Sequence, residues 1–436
     1  MIPKNSVILN QEFDELLQGV VDNLDFFLES IKCIKETYEF SEETLRAHHT
    51  NILERYNTIV SSFNQKEEDG VEYYIVPEGK LRGFISLQKN KKRAERAFEL
   101  VPPSYFVSLI SSYDAFFAGL IRCYYNICPE KLQECDITFN YRDLLGFGDL
   151  LEVKKRIIEK NIENLIRESH VYQIDWFAKA LGVDTLYKFK GWSDFVELTE
   201  RRNLFVHSNG TVSNQYINVC KKHSALNTDI IEGNKLQIDS QYFLKSYETL
   251  CKLSIMLTQM LLRTKYLANS DSNSTSFIDK ILINNVFELI VDKHYDVAID
   301  ISEMVLNNPK FKHNAFDREY LVLNYAQAYK WKGDNSKCSE ILGKEDWTAC
   351  TNELLIPKYT LEENYTEVYR CMRELGKSNK RLNITAYREW PIFQLLRKEK
   401  DFESVFIELF GEKIETEKQF EHNKVSEKTS STTSTI

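Results

Sequence analysis

A chain of 436 residues exceeds what one hydrophobic core usually serves, so two or three domains are expected. A hydrophobic fraction of 43% with 12% aromatics suffices for real cores and excludes disorder over most of the chain. The net charge of −9 excludes a strongly basic nucleic-acid coat but leaves a local basic site open.

Glycine (15) and proline (8) are scarce while Leu, Ile, Glu and Lys abound, which predicts an all-α fold. Residues 1–100 read as a helical lead-in. Residues 13–34 repeat apolar side chains every three or four positions, as an amphipathic helix does. A second helix is expected from Ser41, with Glu42 and Glu43 in its first turn. Residues 67–87 carry the only strand-like mix, a short hairpin or an ordered loop. Residues 88–100 form a basic helix running toward Pro102 and Pro103.

Residues 101–270 read as an up-and-down helical bundle. Residues 104–127 make a nearly all-apolar helix with one acid, Asp114, near its middle, as a bundle interior requires. Helices follow at 147–169, 171–183 and 192–210, the last with Ser193 or Asp194 as cap and Gly210 as stop. After a polar connection, residues 241–267 supply one more. The polar tract 271–276 reads as a linker. From 277 to 413 the chain turns into short helix pairs, and residues 414–436 form a low-complexity tail expected to be disordered.

No run of about 18 uncharged apolar residues is present, so no membrane-spanning helix is expected, and the first residues lack the apolar core of a secretory signal. Nine scattered cysteines without a CxxC pair read as reduced thiols of a cytoplasmic protein. Metal-ligand clusters are lacking, and neither a metal nor another cofactor is expected. Gly146 and Gly148 lack the lysine and strand of a phosphate loop.

The tract ERRNLFVHSNG, residues 200–210, carries the chemistry. RNA cleavage by the neighbouring 2′-hydroxyl needs a proton acceptor, a proton donor and positive charge at the phosphorane. Position 207 holds histidine, the residue type whose free side chain changes charge near neutral pH, and Arg202 offers a bidentate cation for phosphate. Asn203 and His207, four apart, share one helix face, and Asn203 can orient the imidazole or bind a phosphate oxygen. Glu200 lies on the same stripe, either as a plain surface acid or as a group that fixes the imidazole tautomer. Arg201 reads as a solvated or phosphate-touching charge. Arg202 falls on the apolar face between Leu198 and Phe205. A cation there must face a partner surface or be paired, with Asp114 as one candidate. The basic run Lys154, Lys155, Arg156 and Lys160 is either a solvated face or a weak guide for RNA.

The order R-N-x-x-x-H, followed by Ser208-Asn209-Gly210, resembles the signature of the HEPN domains, all-helical modules named for higher eukaryotes and prokaryotes nucleotide binding. The resemblance covers residues 101–270 and includes the upstream acid Asp114. It implies a metal-independent endoribonuclease in which Arg202, Asn203 and His207 are catalytic, with Glu200, Arg201 and Asp114 supporting. It implies a homodimer with a composite cleft, RNA as substrate, and a toxin or abortive-infection role in antiviral defence. Residues 295–309 and 323–342, with Gly333 at a turn, resemble tetratricopeptide units. An array of that kind offers a concave face to a protein partner or trigger. Two other classes stay open: a non-catalytic HEPN module that dimerises or binds nucleotide, and a pure helical-repeat scaffold.

Overall fold

Two very long helices lead the chain. Helix α1 runs Lys4–Val60 without interruption. A turn leads into an antiparallel hairpin of β1, Asn64–Glu68, and β2, Val71–Ile75, with Asn64 opposite Ile75. Helix α2, Leu81–Ile127, then returns along α1. This computed structural model describes residues 4–68, 71–183, 186, 189–226, 229–269 and 274–414. The expected disordered tail lies outside the described residues, apart from residue 414.

The helix start expected at Ser41 is not there. Ser41 sits inside α1, and its hydroxyl meets the Tyr105 hydroxyl at 2.9 Å instead of capping a helix. Pro102 and Pro103 do not end a helix either; both lie within α2. They remove two backbone donors, but packing holds the helix through them. Residues 1–100 are therefore not a separate lead-in. The two compact units of the chain are Met1–Asp271 and Ser272–Ile436, and they divide inside the polar tract.

In unit 1, α1 and α2 approach closely at Gly119, where an added Cβ would lie 2.0 Å from the Asn23 amide oxygen. Asn23 in turn donates to the Phe116 carbonyl at 3.0 Å. Aromatic rings fill the seam, with Phe27 4.8 Å from Phe116 and Tyr38 5.8 Å from Tyr105, and Tyr38 also stacks at 4.0 Å on Phe243 of a later helix. The second half of α2 is the core helix, with Phe106, Ile110, Phe117, Leu120 and Ile121 fully buried. By length and composition alone the segment Glu78–Ile127 is long and apolar enough to cross a membrane, and half of its apolar window is buried in the unit. The expectation of no such helix rested on the lack of an uncharged run of about 18 apolar residues; a window that tolerates a charge or two admits this one.

After α2 come α3, Tyr141–Leu145, α4, Leu150–Ile166, α5, His170–Leu181, α6, Trp192–Ser208, α7, Asn214–Lys222, and α8, Ser240–Leu261, of which α4, α6 and α8 pack directly on α2. Local signals place most of them. Asp149, Ser169, Ser213 and Asp239 each accept a backbone N–H at the start of α4, α5, α7 and α8. Helix α5 stops at Gly182 in the left-handed region. Helix α6 begins one residue before the expected caps, after Gly191, with no side-chain cap. Helix α7 forms within what the sequence presented as a polar connection. Helix α8 is buried without a break from Leu253 to Leu261, and the hydroxyls of Ser246, Thr249 and Ser254 donate to carbonyls of the helix itself.

Unit 2 is a succession of helix pairs: α9, Ser274–Val291, with α10, Tyr295–Leu306; α11, Ala315–Lys332, with α12, Asn335–Gly343; α13, Asn352–Leu361, with α14, Tyr365–Leu375; and α15, Ile384–Glu389, followed by α16, Lys400–Phe410. Gly333 ends α11 with φ +95°, and Asp334 caps α12 at once. Helix α11 packs on α9, α10, α12 and α13 and so forms the spine of the unit. Lys330 of α11 donates to the Leu361 carbonyl and to Glu363, each at 2.6 Å, tying two successive pairs together. Among the described residues the fold is all-α apart from the hairpin.

Candidate functional site

Helix α6 packs against α2, α5, α7 and α8, so its residues meet side chains far away in sequence. Phe195, Val196, Leu198 and Leu204 anchor it in the core. Asn209 and Gly210, both at positive φ, end it. A Cβ on Gly210 would stand 2.7 Å from the Phe205 ring and 3.1 Å from the Leu236 carbonyl, so the close turn demands glycine.

Arg202 points to α2. Its Nη2 lies 3.3 Å from Asp114 Oδ2, and its Nη1 donates to Asn203 Oδ1 at 3.3 Å. The guanidinium Nε is buried without a hydrogen-bond partner. Asp114 uses its other oxygen for His170 Nε2 at 2.8 Å. His170 opens α5 and is buried, with 9% of its side chain exposed. One carboxylate thus bridges a permanent cation from α6 and an imidazole from α5.

Glu200 joins this cluster. It is 8% exposed, so it is not a surface acid. Burial raises its pKa, and the charge of His170 opposes that rise. Its carboxylate has no hydrogen-bond donor among the described residues. His207 lies one turn beyond Asn203 at the end of α6, exposed. No hydrogen bond joins Asn203 to His207 among the described residues, so the imidazole is open to a ligand and is not oriented by the amide.

Arg201 goes the other way. Its Nε donates to Glu197 Oε1 at 2.7 Å, its Nη1 to the Gln237 carbonyl at 3.2 Å, and its plane lies 3.9 Å from the centre of the Tyr242 ring. Glu197 also accepts from the hydroxyls of Tyr216 at 2.6 Å and Tyr242 at 2.5 Å. Burial first, and then the Glu197 charge, push both phenols up, so they remain donors. Arg201 is therefore a packed structural cation, which corrects the reading of it as a solvated or phosphate-touching charge.

The basic run sits elsewhere, on α4, which packs on α2 and α5. Lys155 and Arg156 are exposed and Lys154 half-buried. Lys160 lies over the Phe139 ring at 4.5 Å, and Arg156 stands 3.7 Å from Glu163. No ion pair or hydrogen bond among the described residues joins this run to α6.

The structure thus brings together Asp114, Glu200, Arg202 and Asn203, leaves His207 open beside them, and separates Arg201 and the α4 cations from them. Sequence reasoning missed His170 and Glu197. Neither had a motif around it; only the packing of α5 and α7 onto α6 reveals them. Among the described residues no three His, Cys, Asp or Glu side chains gather as metal ligands. Comparisons with protein-family models, with curated proteins and with solved structures find no match.

Proposed function

We propose that unit 1 is an endoribonuclease of the HEPN type and that α6 carries its reaction. The supporting observation is the arrangement at the end of that helix. Arg202 is held from below by Asp114, with Asn203 beside it and an exposed His207 one turn on. In the proposed step His207 takes the proton of the RNA 2′-hydroxyl. The 2′-oxygen bonds to phosphorus, and the bond to the 5′-oxygen breaks. That leaving oxygen takes up a proton from water and His207 returns its own proton to solvent, giving a 2′,3′-cyclic phosphate and a 5′-hydroxyl. Arg202 stabilises the charge on the phosphoryl oxygens, with Asn203 as a neutral donor to the same group. A second copy of the chain would complete the cleft, and the helix pairs of unit 2 would take the signal that switches the enzyme on. Toxin or antiviral-defence activity in the cytoplasm is the biological setting this reading implies.

A second reading has its own observation. Arg202, Asp114 and His170 form a linked set that also suits a structural role, in which α6 serves only a dimer or a helical scaffold. One experiment separates the two. Wild type and His207→Ala would be induced in bacterial cells, with growth recorded and RNA 3′ ends mapped. New cyclic-phosphate ends with wild type, reduced on the order of 10²–10⁴-fold in the variant, support the nuclease. Equal ends from both proteins remove His207 from the reaction and favour the structural reading.

A further inference from the structure

Unit 2 contains a cavity of about 310 Å³, of the size that takes a small organic molecule. Its walls come from equivalent faces of two successive pairs. Lys280, Asn284 and Phe287 of α9 lie opposite Asn324 of α11, and Arg381 and Trp390 close the far side. Asn284 and Asn324 are forty residues apart, each placed on its helix to face the same space.

Three features fix the chemistry of an occupant. The first is charge. Among the described residues Lys280 and Arg381 are the only charged ones lining the cavity. Lys280 is exposed and makes no ion pair among the described residues. Arg381 is pre-positioned, its guanidinium 4.6 Å from the Tyr320 ring centre and its Nε 3.7 Å from Glu353. The second is flat apolar surface. Phe287 and Trp390 stand edge to face with ring centres 6.0 Å apart. The third is rigidity. The buried Gln327 amide, oriented by its hydrogen bonds, accepts from the Ile392 N–H at 3.0 Å and from Trp331 Nε1 at 2.8 Å. That clamps the turn bearing Trp390 onto α11, so the wall is built before any ligand arrives.

We infer that this cavity is a binding site for a small organic anion with a planar aromatic body, its rings against Phe287 and Trp390 and its anionic group toward Lys280 and Arg381. The Asn284 amide serves as a further donor to that group, while Asn324 Nδ2 also donates to the Ile283 carbonyl at 3.5 Å. The inference does not rest on the ribonuclease reading, since binding is read on the full chain without RNA.

The test uses two dyes with the same rings. One, 1-anilinonaphthalene-8-sulfonate, carries an anion; the other, N-phenyl-1-naphthylamine, does not. Fluorescence titration of the full chain is expected to show one sulfonate dye per chain, bound about tenfold tighter than the neutral dye. Lys280→Glu, at an exposed position, should remove that tenfold preference and leave the neutral dye unchanged. Trp390→Ala should weaken both dyes, with helicity by circular dichroism as the check on folding. Equal affinity for the two dyes in wild type overturns the proposal. So does a sulfonate affinity unmoved by Lys280→Glu, or emission from several weak sites insensitive to both variants, which is what a flat protein-docking face would give.

Discussion

Arg201 and Arg202 are neighbours on one helix, yet they live in different surroundings. Arg201 has a carboxylate, a carbonyl and an aromatic face, and Glu197 beneath it is itself held by two tyrosine hydroxyls. Arg202 has longer contacts, shares its carboxylate with His170, and keeps one buried nitrogen without a partner. The first is the saturated side, in that Glu197 takes three donors and the Arg201 guanidinium is fixed against it. The second retains donors and a neighbouring open imidazole. A hundred degrees of helix rotation turns one residue type into scaffold and the same type into a candidate for chemistry.

The largest expected effect tests the saturated side. Arg201→Ala leaves the Glu197 charge and two phenols buried around a gap, so it should cost about 3–5 kcal/mol in chemical denaturation. A loss below about 1 kcal/mol would show that the cluster is wetter than its geometry implies. Next comes the unsaturated side. Asp114→Ala strips Arg202 and His170 of their shared acceptor and should cost about 2 kcal/mol. Combined with His170→Ala, it should show a coupling of about 1 kcal/mol, whereas combined with Arg201→Ala the losses should add to within about 0.5 kcal/mol. Additivity in both cycles, or coupling in both, would erase the distinction between the two arginines.

The smallest effect is a pH dependence. Glu200 has a pKa raised above its usual 4.5 by burial, so the folded state keeps a proton that the unfolded chain has already released. Its contribution is favourable at low pH and is lost as pH rises through the folded value. Glu200→Gln imitates the protonated form. It should melt with wild type below about pH 4 and about 1–3 °C higher at pH 7. A variant less stable than wild type at neutral pH would mean that the ionised carboxylate has a partner.

Much of unit 1 was legible where local chemistry decides. The apolar run of α2 and the helices expected at 147–169, 171–183 and 241–267 stand close to where periodicity put them, although the caps Asp149, Ser169 and Asp239 were not singled out. Arg202 on an apolar face already called for an acid, and Asp114 was the acid in the core helix. The failures share one cause, which is that tertiary contact overrode a local sign. Ser41 looked like a cap but spends its hydroxyl on Tyr105, so α1 does not pause there. Paired prolines looked like a stop, but α2 is packed on both sides of them. Glu200 looked like a surface acid because periodicity cannot say which helices will cover a face. His170 carried no sign at all, since its meaning comes from a carboxylate 56 residues away.

The continuity of α2 through Pro102 and Pro103 also sets where the molecule can open. At 57 residues α1 is about 85 Å long. Its far end has a small core of its own: Ile52 with Leu87 and Ala94, flanked by Tyr56 and Ile59. Phe63 and Tyr56 close on Phe84 near the hairpin. So few apolar contacts allow this end to unzip at a lower free energy than the aromatic seam around Phe27 and Tyr38. Unzipping along α2 meets the prolines, where two rungs of the amide ladder are already missing, and there it can stop without disturbing Phe106 and the helix beyond. Amide protons of residues 84–97 should therefore exchange with solvent as one group, ahead of those of residues 106–125.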